Sequence, residues 1–359
     1  MPSALDLTVF LPSLAGGGAE RVMLELLRDF SQRGVRCELV LAAPGGELSG
    51  DVPAAVPALH LGRGKAWHAA RALRRHLAER RPRAFLTTIL SANIAGLLAV
   101  WGLRDRPRCV IRESSSPLHE TAGASLRALA SRAAVRLLYR HADALIALSA
   151  ELGAELRLLG VPERKISIIP NAVPQLVTTP TAAAPFEGPY VLACGRLEPQ
   201  KDHATLIRAF ARISNRSLRL VILGEGSQRA SLLQLARELG VAERVHLPGF
   251  VARPLAWYAH AALFVHTARW EGFPNAVSEA LACRLPVVAT DSQSGVRLLL
   301  DGGRFGALVP VGDAAAVAQA MDAVLSGEKR FPDPAAYLAR FDRASVVQRY
   351  LDVLLPAGA

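Results

Sequence analysis

The 359-residue sequence predicts an α/β protein of two Rossmann-like domains, each built on a parallel sheet. Three observations carry this expectation. Short apolar runs alternate with segments of helical spacing along nearly the whole chain. The central runs, among them LVIL, ALFV and PVVA, are apolar without interruption, as strands are when helices cover both faces of a parallel sheet. The alternation pauses once, at the proline-rich PQLVTTPTAAAPFEGP, and then begins again.

The elements read in order as follows. LDLTVFL (5–11) is a first strand, AGGGAE a glycine turn, and RVMLELLRDFSQRG a helix that starts near Ala19, with Val22, Leu24, Leu27 and Phe30 facing inward. CELVLAA returns as a strand and completes a βαβ unit. A basic helix covers about 66–80. AFLTTIL and RCVIRE read as strands, LRALASRAAVRLLYRHA as a helix, ALIALSA as a strand, and KISIIPNAV closes the first half. After the pause, PYVLACGRLEPQKDHATLIRAFARI gives strand, turn and helix. LRLVILGEG is a strand, QRASLLQLARELG a helix, RVHLPGF a short strand and AALFVHTA another. FPNAVSEALACRL is a helix, with Asn275 as its expected N-cap. PVVAT and GALVPVGD are the last strands, a helix follows from about 313 to 325, and ASVVQRYLDVLL ends the chain as a helix. The expected domains are residues 1–170 and 189–343, joined by a linker at 171–188, with a final helix at 344–359 that crosses back to the first domain. In such sheets ligands bind beyond the carboxyl ends of the strands, so the sequence predicts a central cleft faced by both sheets.

Composition narrows the function classes. Apolar residues make up 51% of the chain, enough for substantial cores and against disorder. The four cysteines, Cys37, Cys109, Cys194 and Cys283, form no CxxC pair and read as free thiols of a reducing compartment. The amino terminus reads as a strand rather than a signal peptide, and ANIAGLLAVWGL (92–103) is too short to span a bilayer. A cytoplasmic protein is expected. Net charge is +11, and residues 1–170 hold 23 Lys and Arg against 15 Asp and Glu. Such a surface suits nucleic acid, anionic lipid or a phosphorylated small molecule.

The motifs favour the last of these. Gly16, Gly17 and Gly18 place bare amides before the positive end of a helix, although AGGGAE is neither a dinucleotide fingerprint nor a Walker loop. In CGRLEPQKDH, Arg196 and Lys201 flank a turn at a strand end, and a guanidinium fork with a lysine point charge suits a diphosphate. The glycines of GEG (224–226) allow close approach of a ligand, and HLPGF (246–250) can set backbone groups against a nucleobase. In WEGFPNAVSEA, Glu271 precedes a helix and Glu279 lies about one turn inside it, so the two carboxylates can bracket a polyhydroxylated ligand. Between them, Phe273 and Asn275 can donate backbone amides and Pro274 cannot. No D-x-D and no zinc spacing occur, so no metal and no cofactor are expected.

Together GGGAE (16–20), GRLEPQKD (195–202), GEG, HLPGF and EGFPNAVSEA (271–280) resemble, in family order, the retaining GT-B glycosyltransferases of family 4. The resemblance implies a GT-B fold with an acceptor-binding first domain and a second domain that binds a nucleotide-diphosphate sugar. It implies that Arg196 and Lys201 hold the diphosphate, Glu271 touches the donor sugar and Glu279 the ribose. Gly17 and Gly18 would close over the diphosphate. Gly224, Glu225, Phe250, Phe273, Asn275 and Ala276 complete the implied donor pocket, and His119 in RESSSPLHE is an implied catalytic-site residue. Arg112 is a further candidate phosphate or acceptor contact. The chain departs from the family in DSQSGVRLLL (291–300), where Val296 and Leu298 replace a common proline and glutamate around the Ser294–Gly295 turn.

The implied reaction is retaining transfer of a hexosyl or N-acetylhexosaminyl group, from a UDP sugar in preference to GDP-mannose. The acceptor is a glycan or a polyprenyl-lipid-linked saccharide of surface polysaccharide or lipopolysaccharide assembly. Same-face attack would develop charge on the leaving phosphate. Glu271 and Glu279 are not an acid–nucleophile pair of the glycosidase kind. A lipid-linked acceptor would draw the basic first half, helix 66–80 included, to the anionic cytoplasmic face of the inner membrane as a peripheral contact. Two alternatives remain open at this point: a nucleotide-sugar 2-epimerase-like GT-B enzyme, and a non-catalytic nucleic-acid binder. Arginines scattered over helices with few aromatics form no stacking platform for the latter.

Overall fold

The computed structural model describes residues 5–62, 66–123, 126–175, 185, 187–292 and 295–356, with the side chains of Trp67 and Arg127 left out. Most of the expected linker (176–184 and 186), part of the basic stretch (63–65) and Ser294 of the expected turn lie outside the described residues. The chain folds as two compact units, Met1–Asn171 with Ala344–Ala359, and Ala172–Arg343.

In the first unit, β1 (Leu7–Leu11) leads through the glycine turn into α1 (Gly18–Gln32) and back to β2 (Cys37–Leu41). The helix buries Met23, Leu24, Leu26, Leu27 and Phe30, while Val22 is only half-buried. β3 (Ala58–His60), α2 (Ala70–Arg80), β4 (Ala84–Thr88), α3 (Leu90–Val100) and β5 (Arg108–Glu113) follow. The strand expected over AFLTTIL stops at Thr88, the last residue with a partner in β5. Ile89 turns the chain with φ of 75°, an uncommon value for a β-branched residue, and Leu90 opens α3. The apolar run read as too short for a bilayer is this core helix and its end. Gly96 lets α3 lie on the sheet, since a Cβ there would stand 2.8 Å from the Phe85 ring. α4 (Pro117–Glu120), α5 (Leu126–Leu138), β6 (Ala144–Ala147), α6 (Ala150–Leu158) and β7 (Ile166–Ile168) complete a seven-stranded sheet in the order β3-β2-β1-β4-β5-β6-β7. β1, β4, β5 and β6 are buried along almost their whole length, which is why their sequences are apolar on both faces.

The second unit repeats the plan. β8 (Tyr190–Cys194), α7 (His203–Phe210), β9 (Arg219–Leu223), α8 (Arg229–Glu238) and β10 (Val245–Gly249) are followed by α9 (Leu255–His260), β11 (Leu263–His266) and α10 (Asn275–Ala282). β12 (Val287–Thr290), α11 (Gly295–Leu299), β13 (Ala307–Val309), α12 (Ala314–Leu325) and α13 (Ala335–Leu338) come last. The sheet order is β10-β9-β8-β11-β12-β13, with parallel pairing throughout. Its order reverses at β8, whose carboxyl end is therefore a switch point of the kind that admits ligands.

The final helix, α14 (Arg343–Leu354), buries Val346, Val347, Tyr350 and Leu354 in the first unit. Arg108 Nε donates to the Val353 carbonyl at 2.8 Å, and Arg33 reaches Ala344 O and Gln348 Oε1 at 2.9 and 3.0 Å. Arg112, proposed from the sequence as a phosphate or acceptor contact, is fully buried beneath this helix. Its guanidinium donates to Tyr350 Oη (3.0 Å), Thr88 Oγ1 (3.1 Å) and Asn171 Oδ1 (2.7 Å). It ties β4, β5, the end of the first unit and α14 together, which takes it out of reach of a ligand.

Candidate active site

The clustered motifs of the second unit meet at the carboxyl ends of β8, β9, β10 and β11. Gly195 N donates to Leu223 O at 2.9 Å, Leu197 N to Glu225 O at 2.8 Å, and Gly224 N to Gly249 O at 2.8 Å. These bonds knit the loops after β8, β9 and β10 into one surface. The GEG glycines serve this contact. A Cβ on Gly224 would stand 2.0 Å from Gly195 O, and one on Gly226 would stand 2.5 Å from Leu197 O. The close approach inferred from the sequence is thus one of protein backbone to protein backbone. Glu225 pairs with Arg229 at 3.0 Å and, on the far side of Gly249, leaves no room for a Cβ at that position. Phe250 follows, half-buried.

Lys201 and Glu271 form an ion pair, with side chains only 16% and 11% exposed. Seventy residues separate them in the chain, and β8 and β11 bring them together as neighbours in the sheet. Gly195 permits the lysine to lie flat across its backbone, because a Cβ there would meet Lys201 Cε at 3.2 Å. Arg196 is exposed beside them. Its Nη2 reaches Gln200 Oε1 at 3.4 Å, and Gln200 Nε2 donates to Trp270 O at 2.8 Å. Arg196, Lys201 and Glu271 therefore stand together at the carboxyl ends of β8 and β11.

Several supporting residues escaped the sequence reading. Asp202 takes a left-handed φ of 48° as N-cap of α7, accepts from Thr205 N and Oγ1, and pairs with Arg269 at 3.1 Å. Thr267 Oγ1 lies 3.1 Å from the carbonyls of both Lys201 and Asp202. This lattice fixes the backbone from which Lys201 projects. His203 and His266 are buried below the ion pair. Burial first, and the Lys201 charge second, bring His203 down to about 4 and His266 well below its ordinary range, so both rings are neutral. His266 Nε2 stands 4.0 Å from Glu271 Oε1. The histidines could have been noticed in KDH and FVH, but nothing local in those triplets says that the rings converge.

Pro274, not Asn275, is the N-cap of α10, and Asn275 is its first helical residue. The chain enters the helix with an extended Pro274, and Ser278 Oγ donates back to Asn275 O at 2.8 Å. Ala276 occupies the next position, half-buried. The Phe273 ring is turned into the core against Phe341, at 6.4 Å between centroids. Its backbone alone faces the loop. Glu279 is half-buried beside the Tyr258 hydroxyl, which burial, then Cys194 and Glu279, push well above the usual tyrosine range. In the departing segment, Val296 is fully buried and Arg297 pairs with Asp291. Gly295 is required by packing, since a Cβ would lie 2.7 Å from Gly272 O.

Of the site residues named in the first unit, Gly17 and Gly18 stand between β1 and α1, and His119 lies on α4 after β5. A Cβ on Gly17 would stand 2.2 Å from Glu20 Oε2, so the glycine makes room for the first-turn carboxylate of α1. That carboxylate sits at the positive helix end that the sequence reading assigned to an incoming phosphate. Gly18 is the first helical residue. His119 is exposed in α4, and its Nδ1 lies 2.8 Å from Ser116 Oγ, which donates to Glu155 Oε2 at 2.7 Å. Glu113, just before this loop, is buried and accepts from Tyr139 Oη at 2.7 Å. Among the described residues, no group of three or more His, Cys, Asp or Glu is placed to hold a metal ion.

Comparison with known proteins agrees with these motifs. A family model described as Glycosyltransferase Family 4 matches residues 16–175, and one described as Glycosyl transferases group 1 matches residues 188–327. The chain is 32% identical over 258 residues to the N-acetylgalactosamine-N,N'-diacetylbacillosaminyl-diphospho-undecaprenol 4-alpha-N-acetylgalactosaminyltransferase of Campylobacter jejuni, covering 70% of each chain. It is 28% identical over 225 residues to a lipopolysaccharide core biosynthesis glycosyltransferase, LpsE, of Rhizobium meliloti, covering 60% of this chain and 65% of that protein. Among solved structures, Anabaena Alr3699/HepE in complex with UDP-glucose superposes with a TM-score of 0.79 over 97% of this chain and 98% of that one, at 21% identity.

Proposed function

We propose, for a chain that belongs to the group 1 glycosyltransferases of family 4, that it moves a hexosyl or N-acetylhexosaminyl group from a UDP sugar to a glycan or lipid-linked acceptor, with retention of configuration. The observation that carries this reading is the Lys201–Glu271 pair beside Arg196 at the switch-point edge of the second sheet. The bond from the anomeric carbon to the diphosphate oxygen breaks. A bond from that carbon to the acceptor oxygen forms on the same face, and the acceptor proton passes to the leaving phosphate. Arg196 and Lys201 meet the charge that develops there, where a fixed cation is most effective. Lys201 pairs with Glu271, and donor binding is expected to exchange this carboxylate for phosphate and to turn Glu271 to the sugar hydroxyls. Glu279 receives the ribose. These two cations supply the counter-charge without a metal, and transfer is expected to survive EDTA.

Surface polysaccharide or lipopolysaccharide assembly is the setting in which relatives such as the Campylobacter jejuni and Rhizobium meliloti transferases are named. A cytoplasmic protein that visits the inner leaflet fits an undecaprenol-linked acceptor of the kind in the first of those names. No helix among the described residues is long and apolar enough to cross a membrane. Helix α2, suggested by its charge, buries both Leu73 and Leu77, and Arg74 and Arg80 are bonded to Gly102 O and Glu38. It has no apolar stripe to insert.

Calorimetric titration of UDP and of GDP into the purified chain and into Arg196→Ala tests the donor reading. UDP binding that weakens about tenfold or more in the variant, the loss of one charge-assisted contact, supports it. A preference for GDP overturns the choice of UDP. Binding unaffected by the substitution overturns the site.

A further inference from the structure

We infer that the outward face of α5 is a docking surface for an anionic lipid bilayer. This deepens the lipid-linked acceptor reading and rests on it for its purpose, but not for its physical case. An ordinary crossover helix turns its leucines inward. Here Leu126 is 87% exposed, Leu129 48% and Leu137 57%. Ala130 and Ala133 are exposed between them. Positions 126, 130, 133 and 137 fall on one face at helical spacing, so the stripe runs roughly 16 Å along the helix. It continues beyond α5, where the half-exposed Trp101 ring lies 5.1 Å from the ring of His141. Leu98 is also exposed on α3, which packs against α5.

Charge identifies the occupant. Residues 121–142 contain four arginines, Arg127, Arg132, Arg136 and Arg140, and no aspartate or glutamate. Arg136 and Arg140 are exposed, the first flanking the stripe beside Leu129 and the second in the turn just after α5. A second copy laid on this face would set like charges against one another. A bilayer of anionic lipid takes leucine and tryptophan at the acyl boundary and guanidinium groups at the phosphates. α5 follows α4, which carries His119, so docking by this helix would hold α4 at the leaflet.

The test is vesicle flotation of the full chain, without nucleotide, on phosphatidylglycerol-containing and pure phosphatidylcholine vesicles. The expected result is binding to the anionic vesicles only. Leu126→Ser/Leu137→Ser and Arg136→Gln/Arg140→Gln should each weaken it by about tenfold, and the Arg pair should flatten its salt dependence. Arg71→Gln/Arg75→Gln removes equal charge from exposed positions of α2 and should leave binding nearly intact. The proposal is overturned by wild-type protein that stays off anionic vesicles, by a leucine variant that binds as before, or by an α2 variant that loses as much as the α5 variant. A wild-type dimer that the leucine substitutions dissociate would also overturn it, assigning the face to self-association. Because no nucleotide is present, failure of the donor reading leaves this outcome legible.

Discussion

Glu113→Gln should abolish the pH dependence that one buried carboxyl imposes on the first unit. Glu113 lies at the end of β5, about 1% exposed. Burial first, and the nearby Glu120 charge second, push its carboxyl up from 4.5 to about 8, against smaller opposing contributions from Tyr139, Ser114 and Arg112. Between those two values the folded chain keeps a proton that the unfolded chain releases. Stability therefore falls as pH rises through the window from 4.5 to about 8. The full difference between its two ends is roughly 5 kcal/mol, an upper bound because ionisation would draw water toward the site. Glutamine keeps the shape of the protonated acid. Its carbonyl can still accept from Tyr139 Oη, and its amide falls where Glu113 Oε1 is buried without a partner. The variant should match the wild type within about 1 kcal/mol at pH 5 and exceed it by several kcal/mol at pH 9. Urea unfolding of both proteins at pH 5, 7 and 9 measures this difference, and every other titrating group cancels in it. Tyr139 does not intrude, since burial holds its hydroxyl well above the usual tyrosine range. A difference that stays flat from pH 5 to 9, or a variant that grows relatively weaker at pH 9, would show that Glu113 ionises freely in the folded protein.

Two further outcomes follow from named contacts. Tyr350→Phe keeps the ring packed near Phe30 but leaves the buried Arg112 Nε without its acceptor, so denaturant unfolding of the first unit should register a loss of about 1.5–3 kcal/mol; a loss below about 0.5 would mean that water or another group replaces the hydroxyl. Glu271→Gln frees Lys201 from its carboxylate, so calorimetry should find UDP bound several-fold tighter, by about 1 kcal/mol, while transfer is lost; weaker UDP binding would contradict the exchange of partners proposed for Lys201.

Much of this protein is legible without coordinates because strand and helix formation is governed by neighbours in sequence. Period and turn chemistry located β8 to β13 with α7, α8, α10 and α12, and the spacing in EGFPNAVSEA put Glu271 before α10 and Glu279 within it. The N-cap was misplaced by one residue, since Pro274 adopts the extended conformation that Asn275 was expected to hold. β3, α4, α6, α9, α11 and α13 were not foreseen, being short or weakly periodic, nor was α3, which is apolar nearly all round and gives no helical stripe.

What the sequence by itself determined, then, is the alternation, the motif set and the family. The tertiary structure alone decided what each motif residue meets. Arginine at 112 looks identical in a sequence whether it greets a phosphate or braces α14, and only the arrival of Tyr350 and Asn171 shows the second. The glycines of GEG are spared a side chain by the backbone of the loop after β8. His203 and His266 become neutral because folding buries both rings close to the Lys201 charge. The outward leucines of α5 are conspicuous only once the sheet has fixed which face of that helix is inward. Periodicity is a property of neighbours along the chain; partnership, burial and charge state are set by segments tens to hundreds of residues away, and these meet only in the folded units.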